Sequence, residues 1–119
     1  MTSQDIFDYV LSHLREQGPC TLNGTIVCRY RGGNGTRCAI GYLIPDNLYL
    51  PSMERMLIAN LIRFMESLGE KYISLFEMFK EHEKLISRLQ FIHDNENKSN
   101  WEAHWKLTAM LFNLKYSVT

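Results

Sequence analysis

Between Thr25 and Asp46 the chain reads TIVCRYRGGNGTRCAIGYLIPD, and this stretch most restricts what the rest can become. Two runs of alternating apolar residues flank Gly33-Asn34-Gly35, where glycine and asparagine tolerate the left-handed backbone of a tight reversal. The other long segments carry helical spacing. The expected architecture is therefore α+β: an N-terminal helix, a central β-hairpin over about 25–31 and 36–43, then three or four helices packed on one face of it.

Strand alternation sets the faces of that hairpin. Ile26, Cys28 and Tyr30 share one side with Cys38, Ile40 and Tyr42, which leaves Arg29, Arg31 and Arg37 on the other. A two-residue Asn34-Gly35 turn would mix these faces. A three-residue Gly33-Asn34-Gly35 loop with Gly35 left-handed keeps them apart and sets Cys28 across from Ile40. The thiols of Cys28 and Cys38 then lie diagonally, about 7–8 Å apart and beyond disulfide reach. Pro45 ends the ladder, and Asp46 is placed to cap a short turn over 47–50.

Caps and periods place the helices. Thr2 with Asp5 makes a capping box for a helix from Ser3 to Gln17, striped by Ile6, Phe7, Val10, Leu11 and Leu14 and closed by Gly18-Pro19. A second helix is expected from Pro51-Ser52 to Gly69. Its apolar residues, Met53 to Leu68, occupy more than one face, which suits a central position, a homodimer contact or a partner interface. Glu70 to Asp94 holds neither glycine nor proline, and its polar interruption at 80–84 favours two helices over one of 25 residues. Ser99 with Glu102 repeats the capping-box pattern before a last helix reaching about Lys115.

A chain of 119 residues with 45% apolar and 22% charged content fits one domain, 1–119, with one core. Thirteen basic and thirteen acidic residues leave no net field, so nucleic acid is not favoured as a partner. No apolar run approaches the roughly 18 residues of a membrane span, and no secretion leader precedes the first helix. A cytoplasmic protein without membrane contact is expected. Three cysteines, an odd number, then read as reduced thiols.

Candidate chemistry is limited. Cys28, Cys38, His93 and Asp94 are metal-ligand types, yet Cys-x2-Cys spacing is absent and two small residues on one sheet face give the same pattern. No metal and no cofactor are expected. His93-Asp94 suits a helix end, or a general acid and base with Asp46 or Glu54 as second carboxylate. The arginine face suits a phosphate-bearing ligand, or it pairs with Glu66, Glu77, Glu81 or Glu83 from a covering helix. The candidate binding set is Arg29, Arg31, Arg37, Asp46, Glu54, His93 and Asp94.

Cys28-Arg29-Tyr30-Arg31, the run Cys38-Ala39-Ile40-Gly41-Tyr42-Leu43-Ile44-Pro45-Asp46, Tyr49, Met53-Glu54, Leu89-Gln90 and His93-Asp94 with a following tryptophan together resemble a family of small bacteriophage and prophage proteins. The resemblance brings no activity and no catalytic residue with it. It implies a phage product in a bacterial cytoplasm, and with it a non-enzymatic binding protein that inhibits or redirects a bacterial host or defence protein. The alternative expectation is a nucleotide-type ligand binder or weak metal-dependent enzyme that uses the hairpin arginines with His93 and Asp94.

Overall fold

The computed structural model describes residues 1–27 and 29–118, so the expected placement of Cys28 lies outside the described residues. Helix α1 (Ser3–Gln17) forms as its pattern requires. Thr2 Oγ1 accepts the Asp5 N–H at 3.1 Å and Asp5 Oδ2 accepts the Thr2 N–H at 2.9 Å, a reciprocal cap. Its stripe is fully buried, and Gly18, at φ 82°, releases the chain from the helix.

The hairpin lies elsewhere than expected. Strands β1 (Thr21–Leu22) and β2 (Thr25–Ile26) pair antiparallel, with Thr21 opposite Ile26. They are joined by Asn23 and Gly24, both left-handed at φ 54° and 80°. The chain has two Asn-Gly pairs, and the first one closes the ribbon. Asn34 and Gly35 also adopt positive φ, 55° and 76°, within a 3-10 turn (Gly33–Gly35) braced by a 2.8 Å bond from Gly32 N–H to the Thr36 carbonyl. Beyond that turn the second arm winds into helix α2 (Ala39–Leu43), so among the described residues 25–31 and 36–43 form no ribbon.

The reason is coverage on all sides. Ala39, Ile40, Leu43 and Ile44 are all buried, a spacing that closes one helical turn as readily as it alternates along a strand. Cys38 Sγ accepts the Gly41 N–H at 3.4 Å and caps the helix. Helix α2 packs against α1 and against α5 (Glu83–Asn95), whereas the short ribbon sits at the edge with Ile26 63% exposed. Helices α1 and α5 therefore flank α2, and the helices do not lie on one face of a hairpin over 25–31 and 36–43.

A 3-10 turn (Pro51–Met53) precedes α3 (Ile58–Ser67), so the helix expected from Pro51 onward is broken. The break falls where Glu54 turns its carboxylate to another segment and Arg55 takes φ 69°. Gly69, at φ 87°, ends α3. Helices α4 (Ile73–Glu81) and α5 meet at His82, two helices as the polar interruption suggested. Helix α6 (Trp101–Leu111) stops short of Lys115, and Asn100 rather than Ser99 stands at its start without a side-chain cap. Glu102 is engaged instead by Arg15, through bonds of 2.8 and 2.9 Å.

One core joins these helices. Trp101, Trp105, Phe7 and Phe79 are its largest buried side chains, and Met53 and Met65 are fully enclosed, which absorbs much of the apolar surplus read in 53–68. The C-terminal segment folds back along α1, where Gln4 exchanges two backbone bonds with Lys115 and Arg15 donates to the Ser117 carbonyl.

Candidate functional site

Six of the seven residues singled out by sequence lie at the two ends of α2, and Arg29 does not. At its C-terminal end Arg31 donates to the carbonyls of Gly41 (2.6 Å) and Ile44 (2.7 Å), and its guanidinium lies 4.5 Å from the Tyr49 ring centre. Cations belong at this end, where helix carbonyls lack partners. Asp46 Oδ1 joins Arg31 at 3.2 Å and Arg37 at 2.7 Å. The Asp46 carboxylate is mostly exposed, so these pairs contribute little energy, and the turn that follows is closed by the Pro45 carbonyl, which accepts the N–H groups of Leu48 and Tyr49. Glu54 accepts the backbone N–H groups of Tyr30 and Arg31, each at 3.0 Å, and the Tyr49 hydroxyl at 2.5 Å. It thereby serves as a substitute strand edge for the segment expected to pair with 36–43.

At the N-terminal end Gln90 Oε1 accepts the Ile40 N–H at 2.8 Å while its Nε2 donates to both Asp94 oxygens. His93 is buried, and its Nε2 accepts the Cys20 N–H at 3.0 Å, so that nitrogen carries no proton. The proton sits on Nδ1 and is donated to Asp94 Oδ1 at 2.9 Å. Gln90, His93 and Asp94 thus clip α5 to the first loop and to α2. This arrangement holds backbone and leaves no proton-transfer geometry between His93 and a substrate.

Arg29 stands apart, exposed and without a side-chain partner among the described residues. Arg31, Arg37, Asp46 and Glu54 form one cluster, His93 and Asp94 a second, and α2 separates them. Burial pushes the Cys38 thiol up to about 12 and raises that of Cys20. Both are therefore inert as nucleophiles. Among the described residues no three His, Cys, Asp or Glu side chains stand close enough to hold a metal ion.

The concave surface near these clusters is apolar. A notch of about 660 Å³ opens between α5 and the segment 54–59, lined by Tyr30, Met56, Leu57, Ile58, Phe91 and Asp94. Leu57 is 75% and Phe91 59% exposed beside it. The Tyr30 hydroxyl donates to the Met56 carbonyl and fixes one wall. Sequence reading reached Tyr30 and Asp94, and Leu57 as part of the apolar surplus of 53–68 expected to supply an interface, but missed Phe91, which falls outside the stripe of Leu85, Ile86, Leu89 and Ile92. Among the described residues no helix is long and apolar enough to cross a membrane. Set against protein families, curated proteins and solved structures, the chain matches none.

Proposed function

We propose that this chain is a non-enzymatic, phage-encoded binding protein that inhibits or redirects a bacterial host or defence protein, and that the notch between α5 and 54–59 is its contact surface. The observation that carries the reading is the exposure of Leu57 and Phe91 at the rim of an apolar concavity. Large apolar side chains grouped in a hollow are characteristic of recognition surfaces. The phage context comes from the motif resemblance. The ligand-binding alternative at the hairpin arginines has less support, because Arg31 spends its guanidinium on α2 carbonyls and Arg37 on Asp46.

The test uses tagged wild-type protein and Phe91→Asp in bacterial lysate, with circular dichroism confirming that both fold alike. The expected result is a stoichiometric bacterial protein retained by the wild type and lost with the variant. Recovery of the same proteins by both, or of none by either, overturns the proposal. A wild-type dimer that the substitution turns into a monomer, seen by light scattering, reassigns the notch to a homodimer contact.

A further inference from the structure

A second cleft, wider than the notch, lies at the junction of α4 and α5. It encloses about 900 Å³, and its walls include Ser3, His82, Lys84, Arg88, Phe91 and Phe112. Ser3 Oγ and His82 Nδ1 share a 2.9 Å hydrogen bond that ties the start of α1 to the junction.

Arg88 is the unusual member. Its Nε–H donates to Thr108 Oγ1 at 2.6 Å, and that hydroxyl, fully buried, donates to the His104 carbonyl at 2.7 Å. A buried hydroxyl is costly unless bonded, and here it fixes the orientation of a guanidinium. The remaining N–H donors of Arg88 have no carboxylate partner among the described residues. Arg15 pairs with Glu102, Arg31 and Arg37 pair with Asp46, and Arg29, Arg55 and Arg63 are exposed. A half-buried guanidinium held on one edge and left without a counter-ion is prepared for one.

The surroundings narrow the choice of anion. Lys80, Lys84 and Arg88 outnumber Glu81 and Glu83 on the walls, and Glu81 lies 3.5 Å from His82 Nε2. Phe91 and Phe112 supply apolar surface beside the charge. We infer that this cleft binds a small molecule bearing an oxyanion, carboxylate or phosphate, on an aromatic body. The oxyanion takes the free edge of Arg88 while the ring rests against Phe91 and Phe112. The volume matches small-ligand sites, which span about 300–1,000 Å³.

The test titrates the full chain with phenyl phosphate and benzoate, followed by amide and arginine Nε–H resonances, with inorganic phosphate and benzyl alcohol as probes lacking ring or charge. Saturable shifts centred on Arg88 Nε–H are expected with the first two. Binding should be about tenfold weaker for the probes lacking ring or charge, and about tenfold weaker in Arg88→Gln, which removes the fork-to-oxyanion contact. Thr108→Val keeps the charge but frees its orientation, and should weaken binding a fewfold. Should Arg88→Gln not fold, Lys84→Gln on the exposed wall is expected to weaken phenyl phosphate in the same direction. Shifts that rise without saturating, or equal affinity in the folded variants, overturn the inference. Phe91 borders both hollows, whereas Leu57 lines the notch alone, so Leu57→Asp separates the two readings: it should abolish capture from lysate and leave phenyl phosphate binding unchanged.

Discussion

A Cβ built on Gly41 would stand 2.1 Å from the Tyr30 carbonyl oxygen and 2.9 Å from its carbon, closer than any side chain tolerates. Gly41 has ordinary backbone angles, so the requirement is space alone: α2 and the 29–31 segment touch backbone to backbone. Gly24 is the contrasting case, left-handed at φ 80° with nothing within 4 Å. Gly41→Ala is therefore expected to cost about 1–3 kcal/mol or more through overpacking. Gly24→Ala is expected to cost about 1 kcal/mol through backbone strain alone, with urea melts of both variants as the check. The cysteines give a second prediction. Cys20 and Cys38 are buried, with thiols held above their ordinary range by that burial. Iodoacetamide near neutral pH should leave both unlabelled in native protein and label both rapidly in urea, as read by peptide mass mapping. Fast native labelling of Cys38 would mean that the start of α2 opens locally, and of Cys20 that its contacts with Arg29 and Thr36 do.

Helix α2 has five residues, too few to stand by itself, and its stability comes from partners at both ends. Arg31 serves two carbonyls and a carboxylate at once, which a planar fork can do and a point charge cannot. Arg31→Lys should lower stability by about 1–3 kcal/mol through carbonyls left unpaired. Arg29→Lys, at an exposed position whose side chain has no partner among the described residues, should stay within about 0.5 kcal/mol in the same urea titration. Equal effects would remove Arg31 from its role at the helix end. This element also marks the limit of sequence reading. The Thr2–Asp5 box, the α1 stripe and the break between α4 and α5 are written in neighbouring residues, and they were legible. The choice between strand and helix at 39–43 was not, because it is made by Gln90, fifty positions from Ile40, and by Glu54, which occupies the N–H groups of Tyr30 and Arg31. Arg29, Arg31 and Arg37 were grouped as one strand face, whereas the fold brings only Arg31 and Arg37 to Asp46, and what Arg31 does could be seen only once the α2 carbonyls were in place.

At the scale of the whole molecule, the balanced charge gives no steep electrostatic dependence, so pH sensitivity must come from groups whose protons are held differently in the folded state. The acidic groups shifted downward, Asp5 and Glu102, lie near the surface and are paired locally. The larger set is shifted upward. Burial raises the phenols of Tyr30 and Tyr42, burial together with the Glu54 carboxylate brings Tyr49 to about 12, and burial raises the thiols of Cys20 and Cys38. Their ordinary values are 9.0 for the thiols and 10.0 for the phenols. Above those values the unfolded chain releases protons that the folded chain keeps, so unfolding gains free energy as pH rises. The stabilisation is complete below the ordinary thiol value and declines through the alkaline range up to about 12, the raised value of Tyr49 and Cys38. Urea midpoints should thus be level from about pH 7 to 9 and fall steadily above it, with the part of the phenolate absorbance that is lost in Tyr30→Phe, Tyr42→Phe or Tyr49→Phe appearing together with unfolding rather than before it. That part of the absorbance developing in a still-folded protein, with no loss of midpoint, would place Tyr30, Tyr42 and Tyr49 in water and undo the packing of the 29–31 segment against Glu54 and α2.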